Sequence, residues 1–269
     1  MSLRPEIFKL ISDIVLKRVG IMLPPGKEYL VESRLGPVMT SFEIKSFDEL
    51  AVALGRGNPE LLNEVLDALT TNETFFFRDK RVFDTLQDQI LPDIIETQRA
   101  KRELVIWCGA SSSGQESLSL AMMLREKFPE VSSWRLRIIA TDISDSMLAR
   151  CRGGLYSQLE VSRGLPSKLL VKYFRKKGMK WEVAEDIRNM ISYRKMNLLH
   201  PFPAMPMADL VMMRNVLIYF EDAVKEDILN RTRRIMQPHS YLLLGAGEFV
   251  RGGSYSRVKE SEVCYFKAA

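Results

Sequence analysis

The feature that most constrains the fold is a change of pattern after residue 102, where short apolar runs begin to alternate with helix-forming stretches. Strand candidates lie at 103–108, 135–140, 208–213, 241–245 and 262–266. Helix-forming residues fill the intervals, most clearly at 115–127, near 144–152 and at 222–236. Strands that alternate with helices predict βαβ units and a mostly parallel sheet, which is an α/β fold.

The first 70 residues follow a helical period instead. Apolar side chains recur three or four positions apart, as at Phe8, Ile11, Val15 and Val19. The connectors at 24–26 and 55–59 are rich in glycine and proline, which is typical of turns between helices. This part of the chain therefore predicts a small helical domain.

The length and composition allow both domains to be folded. The chain has 269 residues, of which 46% are apolar and 27% charged, so it can bury a sizeable core and is not predominantly disordered. We predict a helical domain over residues 1–75 and an α/β domain over 76–269. A long helix is expected at about 79–100, broken or begun again near Pro92.

Several classes of protein are excluded by composition. No apolar run reaches 18 residues, and the N-terminal stretch lacks the layout of a signal peptide, so we predict a cytoplasmic protein without membrane insertion. Three cysteines with no CxxC pair do not form a disulfide framework. With two histidines, His200 and His239, a histidine-rich metal site is not expected, and we predict no metal.

The positive charge is concentrated in one segment. The chain has a net charge of +5, whereas residues 163–195 alone contain 10 basic and 3 acidic side chains. This basic segment is either a solvated surface or a contact surface for an acidic partner. We expect no nucleic acid partner, because no recognisable binding motif accompanies the charge.

Two features mark a ligand site at the carboxyl ends of the predicted strands, where open α/β sheets bind ligands. The first is the small-residue loop 109–114, which begins at Gly109 and lets a ligand lie close to the backbone. The second is Asp142, just beyond the next strand, whose carboxylate can accept both hydroxyls of a ribose. Together they indicate a nucleoside-containing cofactor.

The loop sequence narrows the choice of cofactor. It reads GASSSG, which does not fit the GxGxxG of dinucleotide sites, and Gln115 and Glu116 follow where a P-loop has Lys and Ser or Thr. An acid at the helix start disfavours a phosphate but suits an amino group or a sulfonium. These residues indicate S-adenosylmethionine, and the alternative is a tight strand-to-helix turn with no ligand.

Six segments then match, in order, the motifs of one family. They are 20–35 in the helical part, TNETFFFR at 71–78, GASSSGQE at 109–116, TDIS at 141–144, NLL at 197–199 and RNVLIYF at 214–220. On these motifs the chain resembles the chemotaxis receptor methyltransferases of the CheR type over nearly its whole length. It departs from the family pattern at Leu118, where proline is usual, and at Met213, where cysteine is usual.

The resemblance implies a fold and an activity. The fold would be a Rossmann-like, class I S-adenosylmethionine-dependent methyltransferase domain, with a small N-terminal helical domain and a small β subdomain inserted at about 172–192. The activity would be methyl transfer from S-adenosylmethionine to glutamate γ-carboxylates of chemoreceptors, which releases S-adenosylhomocysteine and serves chemotaxis adaptation. The partner would be the acidic helical bundle of the receptor, bound by a monomeric enzyme partly through the basic segment, with Lys27 or Arg34.

The resemblance also implies roles for individual residues. The cofactor-binding residues would be Asn72, Thr74 and Arg78 at the methionyl end, Gly109 in the loop, Glu116 at the ammonium, Asp142 at the ribose, and Asn197, Leu198, Asn215 and Val216 around adenine and ribose. Arg214 and Tyr219 would position the acceptor carboxylate. A glutamate with a pKa of about 4.3 is already ionised near neutral pH, so no general base is required.

Simpler interpretations remain for several of these residues. Thr71 or Asn72 could cap a helix, Tyr219 could be a packing residue, and an asparagine after a strand is often a turn residue. His200 and Cys108 are expected to be a loop residue and a core residue. Two other functions also remain, namely methyl transfer to a small molecule or RNA, and a non-catalytic module that binds S-adenosylmethionine or its product.

Overall fold

The computed structural model describes residues 3–251, 253–258 and 263–268. The described chain divides into two compact units. The smaller unit comprises the chain up to Thr71 together with the short segments Asn197–His200 and Tyr219–Lys225. The larger unit comprises the remainder, from Asn72 onward. The predicted boundary after residue 75 stays a prediction.

The smaller unit is built from four helices, as its helical period predicts. They are α1 (Pro5–Val19), α2 (Glu28–Ser41), α3 (Phe47–Gly55) and α4 (Pro59–Leu69). The start of α4 is set by Asn58, whose side chain accepts hydrogen bonds from the N–H groups of Glu60 and Leu61, and by Pro59 in the first turn. Its last carbonyls are satisfied by Arg34, which donates to Leu69 O at 3.1 Å and Thr70 O at 2.9 Å.

The larger unit contains a seven-stranded sheet with the order β6-β2-β1-β7-β8-β10-β9. The strands are β1 (Glu103–Gly109), β2 (Arg135–Asp142), β6 (Ile191–Lys195), β7 (Ala208–Met213), β8 (Met236–Leu244), β9 (Tyr255–Arg257) and β10 (Tyr265–Ala268). The first five are parallel, and β10 and β9 are joined to them in antiparallel pairing. The predicted α/β fold with a mostly parallel sheet is confirmed.

Helices connect these strands. They are α5 (Lys80–Thr85), α6 (Leu91–Gln98), α7 (Gln115–Lys127), α8 (Asp145–Gly153), α9 (Gln158–Ser162), α10 (Ser167–Tyr173), α11 (Glu185–Arg188) and α12 (Asp222–Arg233). The core of the unit is apolar and includes Trp107, Leu118 and Met212, all fully buried. None of the helices within the described residues is long and apolar enough to cross a bilayer.

The helix expected at 79–100 consists of α5, the π-helical turn Leu86–Ile90 and α6, and α6 begins at Leu91 with Pro92 in its first turn, as predicted. Two other predicted element bounds differ from those observed. The helix predicted to reach 236 ends at Arg233, and β8 already begins at Met236. The last strand is Tyr265–Ala268, and Glu262 of the predicted strand lies outside the described residues.

A second, small sheet is inserted between β2 and β6 of the chain. It has three antiparallel strands in the order β3-β5-β4, namely β3 (Leu155–Ser157), β4 (Phe174–Lys177) and β5 (Lys180–Val183). The expected β subdomain is therefore present. The predicted range of about 172–192 contains β4 and β5 but not β3, which at three residues is too short to give a readable alternation.

Gly20 provides a test of packing within the smaller unit. It ends α1 with φ +76°, and a Cβ at this position would lie 2.7 Å from Leu199 and 2.8 Å from Phe220. We expect Gly20→Ala to lower the free energy of unfolding by about 3 kcal/mol. The cost of a left-handed backbone in a residue with a Cβ adds to the cost of placing a methyl group in an already filled space. The measurement is urea unfolding followed by circular dichroism.

The matched control is Gly26→Ala. Gly26 has φ +85°, but a methyl group at this position would have no neighbour within 4 Å, so only the backbone strain of about 1 kcal/mol is expected. Equal losses for the two variants would contradict the packing of Gly20 against Leu199 and Phe220.

Candidate active site

The loop 109–114 is held at the carboxyl end of β1 by the neighbouring strand. Gly109 pairs with Thr141 in the β1–β2 register, and the N–H of Ser111 donates to Thr141 O at 2.9 Å. Gly114 then turns the chain into α7 with φ +90°, and a Cβ there would lie 2.9 Å from Cys151 Sγ. The loop therefore presents its backbone at the end of the sheet, as the small-residue sequence predicts.

Asp142 is joined to this loop. Its side chain is buried, and the carboxylate accepts the N–H of Ser112 at 2.7 Å and the N–H of Ser144 at 2.9 Å. A carboxylate has about four acceptor positions, so it can hold the loop and accept ribose hydroxyls at the same time. The structure thus brings together the two features that indicated a nucleoside.

A buried cluster of charges lies within the same unit. The Arg214 guanidinium follows β7 and is 1% exposed, and it donates to Glu116 Oε2 at 2.7 Å and to Asp79. Sequence analysis predicted Arg214 and Glu116 separately but did not predict that they pair, and it missed Asp79. Two carboxylates around one guanidinium leave the cluster with a net negative charge.

The segment 72–78 is neither helix nor strand and lies against the loop 109–114. Ser112 Oγ donates to Asn72 O at 2.9 Å, and Ser119 Oγ accepts the N–H of Phe77 at 2.9 Å. The interpretation that Thr71 or Asn72 caps a helix is wrong, because α5 begins only at Lys80. The hydrogen bonds from the two serines replace the helical pairing of this backbone.

The side chains of this segment have different environments. The Arg78 guanidinium donates to Glu73 O at 2.8 Å and lies 5.7 Å from the Phe75 ring centroid. Thr74 is half-buried. Phe76 is fully buried with its ring centroid 5.2 Å from that of Tyr156, so it is a packing residue.

Asn215 and Val216 are held by a residue that sequence analysis missed. Their N–H groups each donate to the buried carboxylate of Glu248 at 2.9 Å. The sequence signal that could have identified it is an acid in the small-residue turn Gly245-Ala-Gly-Glu248 directly after β8.

Asn197, Leu198 and Tyr219 belong to the smaller unit. Asn197 Nδ2 donates to Arg18 O at 2.8 Å, and its Oδ1 accepts the N–H of Leu199 at 3.0 Å, which is the geometry of a turn residue. Leu198 is buried, and Tyr219 O accepts the N–H of Met22 at 3.3 Å. Their predicted roles at the cofactor and the acceptor stay predictions.

Left-handed backbone is concentrated around these residues. Among the described residues, seven that are not glycine have positive φ, and five of them belong to the segments just described: Phe77, Asp79, Ala110, Ser112 and Asn215. Such conformations cost free energy in residues with a Cβ and persist where the surrounding hydrogen bonds impose them. Their concentration in these segments agrees with a functional site.

Cys108 and any metal-binding groups are the next candidates among the residues of the described chain. Cys108 is fully buried, and this burial raises the pKa of its thiol well above the usual value, so the thiol stays protonated and acts as core. No group of three or more His, Cys, Asp or Glu within the described ranges could hold a metal ion.

Comparison with known proteins now assigns the chain to a family. Residues 6–70 match the family domain described as "CheR methyltransferase, all-alpha domain", and residues 72–264 match "CheR methyltransferase, SAM binding domain". The chain belongs to the CheR methyltransferase family. The predicted fold class is confirmed, and so is the predicted cofactor, S-adenosylmethionine, since the larger match is to the domain that binds it.

Curated relatives agree with this assignment. The chain is 41% identical over 253 residues to chemotaxis protein methyltransferase 1 of Pseudomonas aeruginosa, covering 92% of each chain. It is 38% identical over 262 residues to a chemotaxis protein methyltransferase of Vibrio parahaemolyticus, covering 94% of this chain and 92% of the relative. A solved glycopeptide N-methyltransferase with bound S-adenosylhomocysteine is 14% identical, covers 57% of this chain and 47% of its own, and has a TM-score of 0.35, which is too low to support a conclusion.

The residues of the site fit this cofactor. Ser111 Oγ is a buried polar atom with no hydrogen-bond partner within the described residues, so a hydroxyl remains for a bound polar group. Three carboxylates, from Asp79, Glu116 and Asp142, outnumber the two guanidinium groups assigned to the site, those of Arg214 and Arg78. This excess of negative charge suits a cofactor that carries an ammonium and a sulfonium.

Asp142 provides a test of the ribose assignment. We expect Asp142→Asn to weaken binding of S-adenosylhomocysteine roughly 10- to 100-fold, because a charged acceptor is lost and an amide NH₂ must face an N–H of the loop. The measurement is isothermal titration calorimetry.

The control is Asp145→Asn in the first turn of α8. Asp145 pairs with Lys195 at 2.5 Å, and its side chain is 67% exposed, so we expect unchanged affinity. Equal affinities of Asp142→Asn and Asp145→Asn would remove Asp142 from the ribose site.

Proposed function

We propose that this protein transfers the methyl group of S-adenosylmethionine to glutamate γ-carboxylates of chemoreceptors and forms methyl esters. The observation that carries the proposal is the buried Arg214, held between Glu116 and Asp79 at the end of β7. A guanidinium forks toward carboxylates, so Arg214 is suited to bind the carboxylate of the acceptor in exchange for one of its two present partners. The names of the relatives, chemotaxis protein methyltransferases, support the same substrate class.

The reaction needs no proton transfer. A γ-carboxylate oxygen forms a bond to the methyl carbon, the carbon–sulfur bond breaks, and its electron pair remains on the sulfur of S-adenosylhomocysteine. Because the acceptor is ionised near neutral pH, the residues of the site have to align it and exclude water rather than deprotonate it. This explains why the proposal assigns no general base.

Arg214 positions the acceptor by exchanging one of its partners. Glu116 is 12% exposed, whereas Asp79 is 49% exposed, so Asp79 is the carboxylate that can be displaced. In this proposal the Asp79 carboxylate occupies the place of the acceptor carboxylate on the guanidinium. Glu116 stays in place, where it faces the ammonium of the cofactor, and Tyr219 is the second positioning group for the acceptor.

The remaining residues bind the cofactor. We assign the methionyl end to Asn72, Thr74 and Arg78, and the ribose to Asp142. The adenine and its ribose lie against Asn197, Leu198, Asn215 and Val216. Gly109 lets the cofactor approach the loop. Support comes from the backbone of 72–78, which Ser112 fixes against the loop by donating a hydrogen bond to Asn72 O.

The basic segment 163–195 is proposed as part of the surface that binds the acidic bundle of the receptor. Its centre is the β4–β5 hairpin, where Arg175, Lys176, Lys177 and Lys180 are all exposed. Only Lys177 of these pairs with an acid in the small sheet, Glu182, at 2.6 Å. We further propose that the enzyme acts as a cytoplasmic monomer.

The proposal is tested by incubating the protein with chemoreceptor-containing membranes and S-adenosylmethionine labelled in its methyl group. A methyl ester releases volatile labelled methanol in base, whereas a methyl group on nitrogen or on an ether oxygen does not. Base-stable label, or no label from a protein that binds S-adenosylhomocysteine, would contradict glutamate esterification.

Arg214→Ala separates catalysis from cofactor binding. We expect methyl transfer to fall at least about 100-fold, because the acceptor loses its guanidinium partner. The affinity for S-adenosylhomocysteine should stay within about threefold, because the cofactor ammonium still neutralises Glu116. Both are measured on the same preparation, by labelled methyl transfer and by calorimetry.

The control is Arg99→Ala, which removes an exposed guanidinium paired with Glu96 on α6 and should leave both quantities unchanged. An active Arg214→Ala enzyme would refute the assignment of Arg214.

Charge reversal tests the receptor surface. We expect the double variant Lys176→Glu, Lys177→Glu to raise the KM for receptor roughly fivefold to tenfold at low salt, with a smaller effect at high salt, because the attraction is screened. The control variant Arg99→Glu, Lys101→Glu changes the net charge equally at a site before β1. If both double variants behave alike, total charge and not the basic segment governs association.

A further inference from the structure

Glu248 is buried among backbone donors. The residue is 5% exposed and lies just beyond β8, in the turn that follows Gly245. Its Oε1 accepts the N–H groups of Val216 at 2.9 Å, Leu217 at 2.7 Å and Ile218 at 3.3 Å, and its Oε2 accepts those of Asn215 at 2.9 Å and Gly245 at 2.6 Å. One carboxylate therefore serves four consecutive N–H groups directly after Arg214.

The charge of Glu248 is balanced by these donors. No ion pair among the described residues includes Glu248, so five oriented N–H dipoles take the place of a cation. Hydrogen bonds to an ionised acceptor are stronger than neutral ones, and a buried N–H left without a partner is costly. The conformation of 215–218 consequently depends on a single side chain that is about 30 residues distant in sequence.

Gly245 completes the arrangement. A Cβ at Gly245 would lie 2.6 Å from Asn215 Nδ2, 3.0 Å from Asn215 N and 2.9 Å from Glu248 Oε2. Asn215 itself has φ +59°, a left-handed conformation that its own sequence does not impose. Absence of a side chain at 245 and the charge at 248 together hold Asn215 in this conformation.

We propose that Glu248 is a positioning residue for cofactor binding. Its carboxylate fixes the backbone of Asn215 and Val216, which in the proposed function contact adenine and ribose, so this inference rests on that function. Glu248 does not touch the cofactor in this proposal. Its charge acts through the five N–H groups, those of 215–218 and of Gly245, and a neutral amide of the same shape cannot replace it, because the amide would turn an NH₂ group toward at least two of the five.

The test is the affinity of Glu248→Gln for S-adenosylhomocysteine and its KM for S-adenosylmethionine. We expect the affinity to fall and the KM to rise, each roughly tenfold or more, whereas kcat at saturating cofactor should change less. Glu248→Asp keeps the charge on a shorter side chain, and its affinity should lie between those of the wild type and Glu248→Gln. Gly245→Ala keeps the charge and displaces Asn215, and it should reproduce the loss of affinity.

Asp209→Asn is the matched control for general destabilisation. Asp209 is also a buried acid, and it accepts the N–H of Val105 at 2.8 Å and Gln98 Nε2 at 2.5 Å near the amino ends of β1 and β7. We expect this variant to lower Tm while its affinity for S-adenosylhomocysteine stays within about twofold of the wild type. A loss of affinity confined to the variants at 248 and 245 supports the positioning role.

Two outcomes would overturn the inference. One is that Glu248→Gln folds and binds S-adenosylhomocysteine with wild-type affinity, whereas Asn215→Ala binds it weakly. This result would refute the role of Glu248 and leave the proposed function intact. The other is a loss of affinity that merely follows the loss of Tm across all variants, Asp209→Asn included. If Glu248→Gln does not fold, the same measurements on Glu248→Asp and Gly245→Ala decide the question.

Failure of the wild type to bind S-adenosylhomocysteine would refute the proposed function itself.

Discussion

The parallel register of β1 and β2 is the constraint on which the site depends. Gly109 lies opposite Thr141, so the loop that leaves β1 meets the residue that ends β2. Two short hydrogen bonds, from Ser111 N to Thr141 O and from Ser112 N to the Asp142 carboxylate, then fix the loop. A slip of one residue would turn Asp142 to the other face of the sheet and remove the second bond.

Backbone N–H groups hold the buried acids of the larger unit in place. Asp142 and Glu248 both accept them, and each acid thereby fixes a segment in left-handed conformation, at Ser112 and at Asn215. Glu116 and Asp79 are instead held by the Arg214 guanidinium. Fixed donors and acceptors of this kind need little rearrangement when a charged ligand arrives, which is an advantage for a reaction that depends on alignment.

Much of this arrangement could be predicted from the sequence. The strand-and-helix alternation predicts the parallel sheet, and the loop 109–114 with Asp142 predicts a nucleoside site. The order of the motifs indicated the family, and the resemblance to that family implied the roles of Arg214 and Glu116. The pairing of those two residues, the position of Asp79 and the contacts of Glu248 were not predictable, because each joins segments far apart in the chain through side-chain orientation. The strand β3 and the π-helical turn at 86–90 were missed because neither has a periodic signal of its own.

The composition of the smaller unit has a consequence for synthesis on the ribosome. Gly20, at the end of the first helix, packs against Leu199 and Phe220, which are translated roughly 10–40 s later at ordinary elongation rates. The end of α1 therefore emerges well before these two packing partners exist. The packing of the N-terminal unit is completed only after more than two thirds of the polypeptide has been made.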